Sequence, residues 1–97
     1  MKVTVVRVYL SEGEHLQQPL LKRLHDIERV RGVTVFRGIS GFGESGRIRG
    51  AGLLDLSLDL PVVVEFYDAP EVIERVLAHL QDILPQGHVL RFSAELI

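Results

Sequence analysis

The hydrophobic positions of this chain change period along its length, and each change marks a structural element. Residues 3–10 are rich in β-branched side chains and predict a first strand. Ser11 to Gln18 reads as a loop. From Pro19 the apolar positions Leu20, Leu24, Ile27 and Val30 fall four and three residues apart, which predicts an amphipathic helix that Gly32 stops. Val33 to Ile39 returns to strand. A glycine-rich stretch follows, then a weak alternation over Leu53 to Leu60, and a further strand over Val62 to Tyr67 with Val62, Val64 and Phe66 on one face. Asp68 and Glu71 stand where a helix cap and its N3 acceptor would, and Pro70 fits the first turn. Ile73, Val76, Leu77, Leu80, Ile83 and Leu84 form the stripe of this second helix, which Pro85 and Gly87 end. His88 to Leu96 alternates, with Leu90, Phe92, Ala94 and Leu96 on one side and Arg91, Ser93 and Glu95 on the other.

The order is therefore β-α-β, a long loop, and β-α-β. This predicts an α+β, ferredoxin-like split βαβ fold, an antiparallel sheet with both helices on one face. The chain is expected to form a single domain over residues 1–97, because no linker or internal repeat interrupts the pattern. Its uncovered sheet face would carry Val3, Val5, Tyr9, Val63 and Tyr67, interrupted by Arg7 and Glu65. So apolar a face favours self-association.

Composition narrows the function. Thirteen acidic residues against eleven Lys plus Arg leave a net charge of −2, so there is no global basic field to bind nucleic acid or a membrane surface. Cysteine is absent, which removes disulfides, thiolate metal sites and a cysteine nucleophile. The first residues, broken by Arg7 and Glu12, do not read as a signal peptide, and no apolar run reaches a membrane-spanning length. A soluble, cytoplasmic protein is the expectation.

The chemistry concentrates in residues 37–52, which hold six of the nine glycines together with Arg37, Arg47 and Arg49. Glycine lets backbone amides turn toward a ligand, and arginine supplies fixed charge and a planar donor fork. Residues 40–52 are thus expected to be a flexible, anion-binding loop. Gly41 to Gly46 matches G-x-G-x-x-G, but no helix follows to receive a pyrophosphate, so a dinucleotide site is not implied. Arg47 and Ile48 stand where a P-loop needs Lys and a hydroxyl, which argues against nucleotide hydrolysis of that kind. Gly32 to Arg37 superficially resembles the phosphate loop of acylphosphatases, yet it follows the first helix and the chain contains no Asn. Asp55 and Asp59 read as hairpin polarity rather than an acid/base pair. His15, His25, His79 and His88 show no metal-ligand spacing, although His88 beside Gly87 sits where an imidazole could enter a cleft.

Arg37-Gly38-Ile39-Ser40-Gly41-Phe42-Gly43, then Arg47-Ile48, then Leu56-Ser57-Leu58-Asp59-Leu60-Pro61-Val62-Val63-Val64-Glu65 resemble the signature segments of the PII-like family known as domain of unknown function 190, over nearly the whole chain. The resemblance implies a homotrimer of ferredoxin-like subunits with a flexible loop after the second strand. It implies adenine nucleotides in clefts between subunits, at the base of that loop and the turn before the last strand. Arg37, Gly38, Gly41 and Gly43 match the motif, and Gly87, His88 and Arg91 occupy the second turn and strand by position. With Arg47 and Arg49 these make up the expected ligand-binding set. The expected function is non-enzymatic signalling: a small anionic effector orders the loop and changes a surface for a regulated partner, a membrane transporter being one candidate. The alternatives are a trimeric interaction module with no small molecule, and a divalent-metal-binding protein like the related cation-tolerance proteins.

Overall fold

In the computed structural model, which describes residues 1–50 and 59–97, the described residues form six strands and two helices. They are β1 (Lys2–Ser11), α1 (Gln17–Arg23), β2 (Gly32–Arg37), β3 (Ser40–Gly41), β4 (Arg49–Gly50), β5 (Pro61–Asp68), α2 (Pro70–His79) and β6 (Val89–Glu95). The main sheet has the order β2-β5-β1-β6 with antiparallel neighbours throughout. This is the predicted ferredoxin-like α+β arrangement. The predicted alternation over 53–60 lies outside the described residues up to Leu58.

Alternation decides which face is covered. Val6, Val8 and Leu10 of β1 and Val62, Val64 and Phe66 of β5 share one face, where Leu20 and Leu24 from the first helix and Ile73, Val76 and Leu80 from the second pack on them. Each such side chain contributes about 1.5–3 kcal/mol over its exposed state, so this sheet-to-helix contact is the main source of stability. The opposite face carries Arg7, Tyr9, Phe36, Val63 and Glu65 around a shallow depression. The β1–β6 register adds Leu90 opposite Arg7 and Phe92 opposite Val5, and the Arg7 guanidinium lies 5.1 Å from the Phe92 ring centroid. Arg7 Nε donates to Glu65 Oε2 at 2.7 Å, which raises the arginine pKa still further. The uncovered face therefore exposes Phe36, Leu90 and Phe92 beside the expected Tyr9, with an ion pair at its centre, whereas Val3, expected to be exposed there, is buried.

Helix details depart from the pattern in three places. First, α1 begins at Gln17, and after Arg23 the chain widens into a π turn over Leu24–Glu28 that ends at Arg29 in the left-handed region, φ 53°. The extra residue per turn rotates Ile27, predicted to be core, to 67 % exposure and carries Glu28 inside at 5 %. Second, the N-cap of α2 is Ala69, not Asp68. Asp68 closes β5, and its carboxylate accepts the Ala69 and Arg31 backbone N–H groups at 2.7 and 3.0 Å, so it ties the strand ends rather than capping the helix. Third, α2 stops at His79, and Ile83 and Leu84 reach the core from the turns that follow, their N–H groups donating to the Leu80 carbonyl at 3.0 Å.

Leu80 is completely buried. Leu80→Ala is expected to cost about 2–5 kcal/mol in denaturant unfolding. Asp68→Ala should cost about 1.5–3 kcal/mol, the scale of hydrogen bonds to a charged group, and speed hydrogen exchange at the Arg31 amide, which loss of a mere helix cap would leave alone.

Candidate functional site

The site is built at the end of the sheet where β1 and β5 run out together, with Ser11 opposite Pro61. Beyond Ser11 the chain makes one 3₁₀ turn, Glu12–Glu14, held by the Glu14 carboxylate, which accepts from the Ser11 N–H and hydroxyl at 3.1 and 3.2 Å. On the β5 side stand Asp59 and Leu60. Glu12 N–H donates to the Leu60 carbonyl at 3.0 Å, and Gly13 N–H donates to Asp59 Oδ1 at 2.8 Å. Two carboxylates, Glu12 and Asp59, are thereby fixed side by side.

Each carboxylate holds one arginine of the glycine-rich segment. Arg37 forks onto Glu12, with Nη2 donating to Oε2 at 3.2 Å and Nε paired with Oε1. Arg49 Nε lies 3.2 Å from Asp59 Oδ2. The Gly13 amide outweighs the opposing effect of burial and, joined by the charge of Arg49, the Ser11 hydroxyl and the charge of Arg47, holds the Asp59 carboxyl below its ordinary range. The Arg37 side chain is exposed, and a pair of that kind is worth only about 0.2–1 kcal/mol, whereas Arg49 and Asp59 are half-buried. The two pairs position the arginines without committing them.

Between these anchors the segment folds into a short hairpin. Ser40 pairs with Gly50 and Gly41 with Arg49, and a turn at its tip has Gly46 N–H donating to the Gly43 carbonyl at 2.9 Å. Ser45 Oγ accepts from the Arg47 N–H at 3.3 Å. Ile39, Phe42 and Ile48 all point into solvent at over 70 % exposure. Gly38 sets the take-off: its N–H donates to the Pro61 carbonyl at 2.7 Å, and a Cβ there would stand 2.8 Å from Pro61 Cγ.

His88 is the link to the second turn. Its Nδ1 lies 3.2 Å from the Tyr9 carbonyl, an acceptor, which places the proton on that nitrogen, and its Nε2 faces Glu44 of the hairpin at 3.9 Å. Gly87 before it has φ 82°. Arg91 points the other way, across the sheet edge to Glu74 of α2 with Nη1 to Oε1 at 2.6 Å. Gly87 and Arg91 line an open groove of about 840 Å³ between α2 and β6, whose apolar wall includes Leu77, Leu84 and Val89.

The nine predicted ligand residues thus fall into two groups. Arg37, Gly38, Gly41, Gly43, Arg47 and Arg49 belong to the hairpin and its base, whereas Gly87 and Arg91 belong to the α2–β6 groove, and His88 stands between. Glu12 and Asp59 escaped sequence reasoning. Asp59 read as hairpin polarity, and neither has a local spacing to its arginine; only the β1–β5 register could have signalled them. Among the described residues, no cluster of three or more His, Cys, Asp or Glu side chains could hold a metal ion, and no helix is long and apolar enough to cross a membrane.

An α+β chain with a glycine-rich hairpin anchored at one end of the sheet is the PII-like class of fold. The solved structure of CPII bound to ADP and bicarbonate, from Thiomonas intermedia K12, superposes with a TM-score of 0.64 at 19% identity over 99% of this chain and 89% of that one. A PII-like signaling protein described as putative, from Thermus thermophilus, gives 0.63 at 18% identity over 97% and 86%. The family model DUF190, described as "Uncharacterized ACR, COG1993", matches residues 3–96, and the chain belongs to this DUF190, or UPF0166, family. A UPF0166 protein of Methanocaldococcus jannaschii is 35% identical over 93% of this chain and 86% of its own length. One from Aquifex aeolicus is 38% identical over 84% and 81%.

The Asp59 contacts carry a pH signature. Its pKa is lowered in the folded state, so the stability it adds is fully present above the ordinary carboxylate range near pH 4 and is lost as the pH falls through the depressed value. The difference in unfolding midpoint between the native chain and Asp59→Asn should be constant above that range and close as acid is added. A difference that persists unchanged at the lowest pH would assign the effect to shape instead of charge.

Proposed function

We propose that this protein is a non-enzymatic PII-like regulator that binds a small anionic effector, an adenine nucleotide, in clefts between three copies of the chain. The observation that carries the reading is the hairpin base, where Arg37 and Arg49 are held ready on Glu12 and Asp59, the first by an exposed pair and the second by a half-buried one. A phosphate carries more charge than a carboxylate and accepts the same fork, so it can take an arginine over from its internal partner. In one chain this base and the groove holding Gly87 and Arg91 are separate. A cleft that joins the base of one copy to the groove of the next would unite all nine residues, and the apolar uncovered sheet face supplies the reason for copies to associate. That a CPII of the same fold was solved with ADP and bicarbonate supports the choice of ligand.

The effector would act by fixing residues 40–52 in one arrangement. An anion that draws Arg37 and Arg47 together with loop amides gains only when the hairpin is folded, and that differential affinity sets the size of the population shift. Ile39, Phe42 and Ile48, exposed on the same hairpin, are the apolar contacts it offers to a regulated protein. The cytoplasmic face of a membrane transporter fits such a partner. An effector-free interaction module is the contrasting reading and predicts no ligand-dependent stabilisation.

Calorimetry with ADP, AMP and bicarbonate tests the site. Arg37→Ala should weaken nucleotide binding by about 1.5–3 kcal/mol, the scale of a charge-assisted hydrogen bond, and Arg37→Lys should recover only part of it. Lys22→Ala, exposed on α1, is the charge control. Equal losses for Arg37 and Lys22, or no binding of any of the three ligands by the native chain, would overturn the reading.

Assembly is tested separately. Light scattering should return about three times the 10.9 kDa chain mass, and Leu90→Asp on the uncovered face should give monomers with unchanged circular dichroism. A native monomer at micromolar concentration would exclude the shared cleft.

A further inference from the structure

The junction between the two helix ends contains charged groups that the proposed function does not use. Glu28 is buried, its side chain only 2 % exposed. His79 Nδ1 lies 3.0 Å from Glu28 Oε1, and Arg23 Nε lies 3.8 Å from Oε2. Neither Arg23 Nε nor Glu28 Oε2 has a hydrogen-bond partner. Arg23 also donates from Nη2 to the His79 carbonyl at 3.3 Å. The carboxylate is thus buried but incompletely satisfied, an arrangement that packing alone would not favour.

The same turn contradicts its own hydrophobic pattern. In an α-helix, with about 100° per residue, Ile27 would stand about 60° from Leu24 and inside the apolar stripe, while Glu28 would flank it. In a π turn, at about 4.4 residues per turn, Ile27 swings to about 115° from Leu24, and Glu28 comes nearly into line with the stripe. The observed exposures, 67 % and 5 %, follow the second geometry. The bonds agree, because the Arg29 and Val30 N–H groups both donate to the Leu24 carbonyl.

We infer that Leu24–Glu28 is a two-register element: a π register buries Glu28 against His79 and Arg23, and an α register buries Ile27 in its place. The Glu28 to His79 contact holds the π register. Each register has one gain the other lacks, the ion cluster in one and an isoleucine in the core in the other. Removing His79 strips the first of its gain and leaves a buried carboxylate short of a partner, which is the costlier state. The element then turns to the α register, Ile27 enters the core and Glu28 meets water. His79 directly follows Leu77 and Ala78, which line the α2–β6 groove, so the register is set one residue behind that wall.

Thermal unfolding of Ile27→Asp, His79→Ala and the double variant tests this on the full chain. Alone, Ile27→Asp falls on an exposed position and should hardly move the midpoint. In the His79→Ala background the same change buries an aspartate and should lower the midpoint on the order of 5 °C or more beyond the sum of the single changes. Additive shifts would overturn the proposal. A second measurement does not depend on stability: in His79→Ala, or in Arg23→Gln should that variant fold better, the Ile27 δ1 methyl should lose most of its relaxation by a soluble paramagnetic agent. An Ile27 methyl as open to the agent as in the native chain would show that the turn has only one register.

Discussion

Everything at the hairpin end of this protein depends on how β1 and β5 are registered. With Ser11 opposite Pro61, the residues that leave the two strands emerge side by side, and Glu12 and Asp59 become neighbours although they are far apart in the sequence. A backbone bond from Glu12 to Leu60, and one from the Gly13 N–H to the Asp59 carboxylate, lock that placement. A slip of one residue would turn one of the two strands over and separate Glu12 from Asp59. The same register sets the covered face, so one set of hydrogen bonds governs both the core and the site.

The architecture was legible because it rests on periodicity. Val6, Val8 and Leu10, the β5 valines, and Ile73, Val76 and Leu80 each announce the face they bury, and those positions form the core. Ile27 and Asp68 were misread for a shared reason. Their local signals, a spacing of three and a cap followed by an acceptor, were outweighed by long-range partners, His79 in one case and the Arg31 amide in the other. Long-range pairing has no period, and a single sequence does not display it.

The site was legible in half. Glycine and arginine clustered in one segment point to the hairpin whatever the fold, because backbone freedom and fixed charge are local properties. The partners of those arginines are not local. Glu12 and Asp59 gain meaning only from topology, and Arg91 turned out to face Glu74 and the groove, away from the hairpin base. Membership of the DUF190 family and the PII-like fold extend the frame over residues 3–96. They leave the hairpin's own charges as the feature from which ligand chemistry must be argued.

The contact between Gly38 and Pro61 reaches further than its size suggests. The missing Cβ lets the chain leave β2 pressed against the proline ring, with a 2.7 Å hydrogen bond to the proline carbonyl on the same side. Gly38 is therefore the seat of the hairpin: the direction in which the chain departs toward Phe42 is set at a point fixed to the sheet. A bulkier residue there would lift the hairpin off its seat and re-aim Phe42 without touching a single charged group.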